Sequence, residues 1–176
     1  HFDKKSDINT APKTQKAGLF IVNDRISVYW GDYSQVQTEL ILFETAYSNQ
    51  SDYLNYSYYH LLSGVDYPLK SQDYIHEFCK TVGEKEFIGF YQGDDSNLRR
   101  KVGLYHLFPT HFSKERRITF MSLLRAAFIR VQLLCGIKRN SDLELKKGTN
   151  WCSVTNSFVR FLLENKNAIK RRFRWT

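Results

Sequence analysis

The sequence predicts one α/β domain whose mainly parallel sheet is flanked by helices. Three observations favour it: strand-like and helix-like segments alternate along the chain, 42% of the 176 residues are hydrophobic and 15% aromatic, and only three prolines interrupt them. A chain of this length buries a substantial core. Because no internal repeat, low-complexity tract or linker divides it, we expect a single domain over residues 1–176.

Strands are expected where short runs of apolar, β-branched or aromatic residues are bounded by turn residues. The runs are 19–22, 26–30, 58–62, 86–91, 102–108 and 151–154. Helices are expected where apolar residues recur three and four positions apart. These segments are 35–47, 71–82, 114–134 and 156–165. Ser34 has the side chain of a helix cap, and Gly136 ends the longest helix. Residues 169–175 are basic and are expected to start an extended segment.

Charge is distributed unevenly along the chain. Residues 1–95 hold 8 Lys and Arg against 14 Asp and Glu, a net charge of −6, whereas residues 96–176 hold 18 against 4, a net charge of +14, and the two parts together give the formal charge of +8. This asymmetry suggests an anionic partner: nucleic acid, an anionic membrane surface or a phosphorylated substrate. A solvated face explains it equally well. Residues 170–175, in which basic and aromatic side chains mix, fit either a nucleic-acid surface or a strand with one basic face.

Several common kinds of site are excluded by the motifs that the sequence lacks. Cys79, Cys135 and Cys152 are odd in number and far apart, and the five histidines form no ligand pattern, so we expect buried free thiols and no metal site. The P-loop, dinucleotide-binding and G-x-S-x-G motifs are absent, which excludes the common nucleotide hydrolases and dehydrogenases. No apolar run approaches the roughly 20 residues of a membrane helix, and residues 1–9 do not resemble a signal peptide.

Three segments place small, acidic and aromatic residues where an open α/β sheet binds its ligands, directly after a strand. They are 2–5, 63–68 and 148–151. Each candidate also has a plainer interpretation: Asp66 is typical of a turn, Asp3 pairs with a neighbouring lysine at the surface, and Trp151 belongs to the core. Asp94 and Asp95 offer paired carboxylates to a metal, but the glycine, serine and asparagine around them favour a plain turn.

Four blocks of the chain, in this order, resemble those of the core-2/I-branching β-1,6-N-acetylglucosaminyltransferase family, which also contains peptide O-xylosyltransferases. They read HFDKKS over residues 1–6, VYWGDYS over 28–34, YHLLSGVDYPLK over 59–70 and KGTNWCSV over 147–154. The third block, with its L-x-S-G-x-D-Y-P-L-K pattern, is the most specific. Together the blocks extend over nearly the whole chain.

This resemblance implies a GT-A like fold, incomplete at both ends of the chain. It also implies inverting transfer of N-acetylglucosamine or xylose from a UDP-sugar to a glycan or peptide hydroxyl. The family works without the metal-binding D-x-D motif, and no such triplet occurs here, so neither a metal nor another cofactor is expected. An enzyme without a metal must neutralise the leaving diphosphate with Arg and Lys, which suits the basic second half.

By similarity, the site would combine residues from all four blocks. The donor-binding residues would be Asp3, Trp30, Gly31, Ser63 and Asp66, and those at the acceptor or donor sugar would be Trp151 and Ser153. Asp3 would lie beside the uridine, Trp30 and Gly31 would shape the adjoining sheet, and Asp66 would lie near the diphosphate and the sugar. The family's glutamate base belongs to a P-D-E block expected beyond Thr176. The catalytic residue is therefore unknown within this chain, which alone is expected to be inactive.

Two other functions stay open. The basic second half also fits a noncatalytic domain that binds nucleic acid or another polyanion, and a transferase fold without its chemistry would serve as an interaction module. If the chain is a transferase, its partners are a nucleotide-sugar donor and a glycan or glycoprotein acceptor, with no nucleic acid. Membrane association would come from segments outside this chain, at the cytoplasmic face in a bacterium or in the Golgi membrane of a eukaryote.

Overall fold

The computed structural model describes residues 1, 3–7, 18–51, 55–92, 96–109 and 119–175. These residues form six helices and three strands. In chain order they are α1 (Ser34–Ser48), β1 (Tyr58–Leu61), α2 (Gln72–Val82), β2 (Phe87–Phe90), α3 (Ser96–Val102), α4 (Phe120–Leu134), β3 (Gly148–Thr155), α5 (Asn156–Glu164) and α6 (Lys166–Phe173). The predicted α/β class is therefore confirmed.

The three strands form one sheet in the order β1-β3-β2, and both pairs are antiparallel. Tyr58 pairs with Thr155, and Leu61 pairs with Cys152. The prediction of a mainly parallel sheet is therefore wrong for these three strands. β3 enters between its two neighbours after the segment that contains α3 and α4. An alternation of strands and helices does not fix the direction in which such a returning strand runs.

One face of the sheet forms the core. Alternation along the strands turns Tyr59 and Val154 to this face, where α1 contributes Phe43 and α5 contributes Val159. Val154 and Val159 are fully buried. The rings of Phe43 and Tyr59 meet edge to face with their centroids 6.2 Å apart, a favourable geometry for two aromatic rings. Packing of α1 and α5 on this face thus holds the strands in place.

The opposite face of the sheet carries Tyr58, His60, Phe87 and Ser153. Helix α2 packs on part of it, where the ring of Phe78 lies 5.7 Å from that of Phe87. A cavity of about 720 Å³ remains between α2 and the start of β1. This face is therefore more open than the core face.

The predicted start of the helix at residue 71 and the predicted helix end at Gly136 are confirmed, and the predicted cap at Ser34 is wrong. The Ser71 hydroxyl accepts a hydrogen bond from the Tyr74 N–H and begins α2, and Gly136, at φ +66°, follows α4 in a backbone conformation that glycine adopts without strain. Ser34 does not cap α1. Its hydroxyl accepts from the Tyr29 N–H instead, and the Asp32 carboxylate accepts from the Ser34 N–H at 2.7 Å.

Three segments predicted as strands, 19–22, 26–30 and 102–108, form none in the structure. Val22, in the first run, and Leu104, in the last, are buried although their backbone forms no strand. The apolar residues of these two runs therefore reflect burial and not strand formation. The side chain of Gln132 binds both the N–H and the carbonyl of Tyr105, each at 2.8 Å, which removes these groups from any strand ladder. Side-chain contacts from distant residues therefore override local propensity here.

The basic segment near the end of the described chain forms α6, whereas the sequence predicted an extended conformation from residue 169. Ile169 and Phe173 lie four residues apart, a spacing that fits a helix as well as the mixed pattern fits a strand. Backbone bonds from the Ile169 N–H to Asn165 and from the Arg174 N–H to Lys170 hold the turns. Helix α3 was not predicted. Residues 114–118 of the predicted long helix lie outside the described residues.

Candidate functional site

A tight turn, Ser63–Asp66, follows directly on β1. The Asp66 carboxylate accepts a hydrogen bond from the Ser63 N–H at 2.9 Å, and the Ser63 hydroxyl accepts from the Val65 N–H at 3.3 Å. The bonds from Ser63 lower the pKa of Asp66, so this exposed carboxylate stays ionised at neutral pH. The turn-forming interpretation of Asp66 is thereby confirmed, while a ligand-binding role stays a prediction.

Trp151 lies at the same end of the sheet as this turn. Because Leu61 pairs with Cys152, the chain that leaves β1 toward Ser63 passes beside Trp151 on the neighbouring strand. The Trp151 side chain is 49% exposed, so it is not the core residue that its type favours. An indole with half of its surface open presents a flat apolar face to a ligand.

Lysine and tyrosine side chains also meet at this end, where the last residue of β2 pairs with the first residue of β3. The Tyr91 N–H donates to the Lys147 carbonyl at 2.8 Å, and the Lys147 ammonium lies 4.9 Å from the centre of the Tyr91 ring. A cation held over an aromatic face is stabilised by the ring's electrons. Acidic, aromatic and cationic groups are therefore present at one end of the sheet.

Ser153 is held by a histidine on the adjacent strand. His60 and Ser153 are register partners, and the Nδ1 atom of His60 lies 2.8 Å from the Ser153 hydroxyl oxygen. The ring of Tyr58 stacks on that of His60 at an interplanar angle of 12°. Burial, together with the charge of His76, lowers the pKa of His60, so its imidazole is neutral at pH 7. His60 and Ser153 therefore share a hydrogen bond whose donor is set by the imidazole tautomer.

We expect the free energy of unfolding to fall as the pH drops below 6.5, the ordinary pKa of histidine. The unfolded chain takes up a proton on His60 at that pH, whereas the folded chain, whose pKa is lowered, does not, so acid favours unfolding. Urea unfolding at about pH 7.5 and pH 5.5 measures the effect. His60→Asn should reduce the difference between the two pH values. His106, whose pKa is also lowered, contributes separately to the pH dependence of stability. If the pH dependence were unchanged in His60→Asn, the lowered pKa would not belong to His60.

The Asp3 carboxylate binds backbone N–H groups, while its side chain stays 26% exposed. Its carboxylate accepts from the Lys5 N–H at 2.8 Å and from the Val28 N–H at 3.1 Å, and the Lys5 ammonium lies 3.5 Å away. Burial alone would raise the pKa of Asp3, but these hydrogen bonds and the Lys5 charge outweigh it and lower the pKa. The predicted pairing with a lysine is present. Asp3 thus fixes the first described residues to the segment around Val28.

Trp30 and Gly31 lie in the turn that leads into α1. Trp30 is 62% exposed, and Gly31, at φ +73°, donates its N–H to the Gln35 side chain at 2.9 Å. Neither residue belongs to the sheet formed by the described strands. In the described part of the chain, Trp30 and Gly31 therefore do not shape this sheet, although the resemblance suggested that they would. A cavity of about 830 Å³ lies between residues 19–26 and α1. Arg25 and Ile26, which line it, contact the segment around Asp3.

The structure thus divides the predicted site residues into two groups. One group lies at the end of β1 and on β3, and it comprises Ser63, Asp66, Trp151 and Ser153. The other lies around the turn before α1, and it comprises Asp3, Trp30 and Gly31. In the described residues, no hydrogen bond or ion pair joins Asp3 to Asp66. Phe2, Asp94 and Asp95 lie outside the described residues.

Sequence reasoning gives little signal for two residues that hold these groups. The Arg25 guanidinium donates to the carbonyl of Asp3 at 2.6 Å and to that of Ser6, but a single arginine in a polar stretch carries no pattern. Alternation along β1 places His60 on the face opposite Tyr59. Only the register with β3, which no local sequence pattern indicates, brings His60 to Ser153.

Among the described residues, no group of three His, Cys, Asp or Glu side chains could hold a metal ion. In the same part of the chain, no helix is long and apolar enough to cross a membrane. All three cysteines are free. Cys79 and Cys152 are half-buried, but Cys135 is exposed at the end of α4, so the expected burial is wrong for this thiol.

Comparison with known proteins relates this arrangement to one family. The family model for the Core-2/I-Branching enzyme matches residues 3–176, a range that includes every predicted site residue. No curated protein matches the chain. The family consists of glycosyltransferases, so the match implies glycosyl transfer in general terms. With the family model extending over almost the entire chain, this protein belongs to the core-2/I-branching enzyme family.

Proposed function

We propose that this chain is the donor-binding part of a metal-independent, inverting glycosyltransferase that uses a UDP-sugar. The sugar transferred is N-acetylglucosamine or xylose, and the acceptor is a hydroxyl of a glycan or peptide. The observation that carries the proposal is the Ser63–Asp66 turn, which presents an ionised, exposed carboxylate at the end of β1 beside the half-exposed Trp151. Membership of a glycosyltransferase family supports the same chemistry.

Charge decides which part of the donor Asp66 contacts. A carboxylate close to a diphosphate would repel it, whereas the same carboxylate accepts hydrogen bonds from sugar hydroxyls without this repulsion. We therefore assign Asp66 to the sugar. Trp151 offers its exposed face to a sugar ring, and Lys147 places a cation at the same end of the sheet.

In inverting transfer, the acceptor oxygen forms a bond to the sugar's anomeric carbon while the bond from that carbon to UDP breaks. The acceptor proton passes to a general base, a role that we assign to none of the described residues. Asp3 does not contact the donor in this proposal. Its carboxylate is bound to Val28 and Lys5, and its carbonyl accepts a hydrogen bond from Arg25, which lines the 830 Å³ cavity. Asp3 therefore positions a residue in the wall of this cavity, which is large enough for a uridine.

A calorimetric titration of UDP, UDP-N-acetylglucosamine and UDP-xylose into the chain in EDTA tests the proposal. Binding of nucleotide in the absence of metal is the expected result, and the tighter of the two sugar nucleotides identifies the donor. A DNA duplex serves as the control. DNA binding that weakens steeply with salt, without nucleotide binding, would replace the proposal by the alternative of a noncatalytic polyanion-binding domain.

Asp66→Ala and Trp151→Ala should each weaken binding of the sugar nucleotide by roughly tenfold or more, because each removes a direct contact to the sugar. Both side chains are exposed, so the fold should persist. Matched controls are Asp73→Ala on α2 and Trp175→Ala, whose indole is 45% exposed against 49% for Trp151. Binding of UDP alone should change little in all four variants. Unchanged affinity for the sugar nucleotide in both site variants would contradict these assignments.

The partners follow from the same proposal: a nucleotide-sugar donor and a glycan or glycoprotein acceptor. Location at a membrane, at the cytoplasmic face in a bacterium or in the Golgi of a eukaryote, is part of the same proposal. Fractionation of cells that express the whole protein tests the location, and recovery in the soluble fraction alone would contradict it.

A further inference from the structure

Three basic segments that are far apart in the sequence meet in the fold. They are Arg99–Lys101 at the end of α3, Lys138–Arg139 after α4, and Lys170–Arg174 at the end of α6. The Arg139 guanidinium donates to the Arg172 carbonyl at 2.7 Å, and the Arg139 N–H donates to the Gly103 carbonyl at 3.0 Å. We call these three segments together the basic surface.

Further hydrogen bonds make this meeting specific. The Asn140 side-chain amide donates to Val102 at 3.0 Å and to Arg172 at 3.3 Å, so one side chain joins the ends of α3 and α6. The His106 N–H donates to the Trp175 carbonyl at 2.9 Å. The fold therefore holds three like-charged segments together against their mutual repulsion.

Most of this charge is not neutralised within the described chain. Arg172 forms a two-point ion pair with Asp142 at 2.8 and 2.9 Å. No ion pair joins Lys101, Lys138, Lys170 or Arg171 to a carboxylate among the described residues, and all four are exposed. The dipoles of α3 and α6 offset part of the charge at their carboxyl ends, but Lys138 lies outside any helix. These cations are therefore open to solvent and available to an external anion.

Exposed apolar side chains stand next to the same cations. At the end of α4, Leu133 is 57% exposed, Leu134 87% and Ile137 38%, and Lys138 follows directly. Trp175, 45% exposed, follows Arg174, whose guanidinium lies 5.0 Å from the indole. Aliphatic side chains exposed beside lysines are costly in water unless a partner covers them.

We propose that the basic surface binds the surface of an anionic lipid bilayer. Its unpaired lysines and arginines contact lipid phosphates, while Leu134, Ile137 and Trp175 enter the boundary between headgroups and acyl chains. Aliphatic leucine and isoleucine distinguish this surface from one that binds nucleic acid, which uses planar side chains for stacking on bases. The inference uses none of the residues assigned to the UDP-sugar and so is independent of the proposed function.

Sedimentation of the full chain with vesicles tests this proposal. We expect binding to vesicles that contain phosphatidylserine or phosphatidylglycerol, little binding to phosphatidylcholine alone, and a loss of binding as salt rises. One variant changes Lys101, Lys138, Lys170 and Arg171 to Gln. It should bind the anionic vesicles at least about a hundredfold more weakly, since each charge contributes roughly fivefold to the affinity. The matched control changes the exposed residues Lys80, Lys85, Lys146 and Arg160 to Gln, which alters the net charge equally.

The apolar contribution is tested by Leu134→Ser, which should weaken binding to anionic vesicles while every charge is retained. If the two variants with four substitutions lost vesicle binding equally, net charge alone would explain the loss, and the proposal would be overturned. Tighter binding to a DNA duplex than to vesicles, lost in the same basic-surface variant, would assign the surface to nucleic acid. Self-association abolished by Leu134→Ser, without vesicle binding, would assign it to a second copy. UDP binding, measured on the same variants, should stay unchanged.

Discussion

Gln132→Met should lower the free energy of unfolding by about 1 to 3 kcal/mol, although methionine has nearly the same size. Gln132 on α4 is only 1% exposed, and its amide exchanges two hydrogen bonds of 2.8 Å with the backbone of Tyr105. Methionine fills the space but leaves the Tyr105 N–H and carbonyl without these partners. Equilibrium unfolding in urea, followed by circular dichroism, measures the difference.

The control for this substitution is Gln37→Met on α1, where the side chain is exposed. There we expect a change within about 0.5 kcal/mol, because no buried polar group loses its partner. Equal effects of the two substitutions would show that the Gln132 amide does not hold the 103–108 segment. That result would also weaken the argument that this segment is kept out of the sheet by its contacts with α4.

Thr155→Val should destabilise the protein by about 2 kcal/mol, because a hydroxyl at a buried junction has two structural tasks. Thr155, 3% exposed, ends β3, and its Oγ1 atom accepts from the Phe158 N–H at 3.2 Å to cap α5. The same hydroxyl donates to the Glu86 carboxylate, which also accepts the Thr155 N–H at 2.9 Å. Valine keeps the shape and removes the hydroxyl from both bonds.

Thr155→Ser distinguishes this explanation from a simple packing effect. Serine retains both hydrogen bonds and loses only a methyl group, so its cost should be about 1 kcal/mol and smaller than that of valine. Hydrogen exchange at the Phe158 amide should accelerate in Thr155→Val and not in Thr155→Ser. A serine variant that is less stable than the valine variant would refute the capping role of the hydroxyl.

The elements that the sequence predicts correctly are those with strong local signals. Helix α2 begins at Ser71, whose hydroxyl binds the Tyr74 N–H, and α4 is followed by Gly136 in a left-handed backbone conformation. β1 ends just before the Ser63-Gly64 turn that the sequence marks. In each case the residues that decide the structure lie within a few positions of one another.

Distant contacts decided the elements that the sequence predicts wrongly. Backbone groups of the run 102–108 are bound by Gln132, and the Val28 N–H in the run 26–30 is bound by Asp3, so neither run joins the sheet. The direction of β3, opposite to the predicted parallel arrangement, depends on where the chain re-enters between β1 and β2. No short window of sequence contains this information.

By itself the sequence determined the α/β class, the resemblance to the core-2/I-branching family and the presence of a turn at Asp66, since composition, motif order and turn chemistry are local properties. Only the tertiary structure decided that Asp3 is committed to backbone, that His60 holds Ser153, and that three basic segments meet at one surface. The contacts behind these features join residues that are 25, 93 and 33 positions apart. Folding of the chain brings such residues together in space, and their spacing in the sequence does not show which of them will meet.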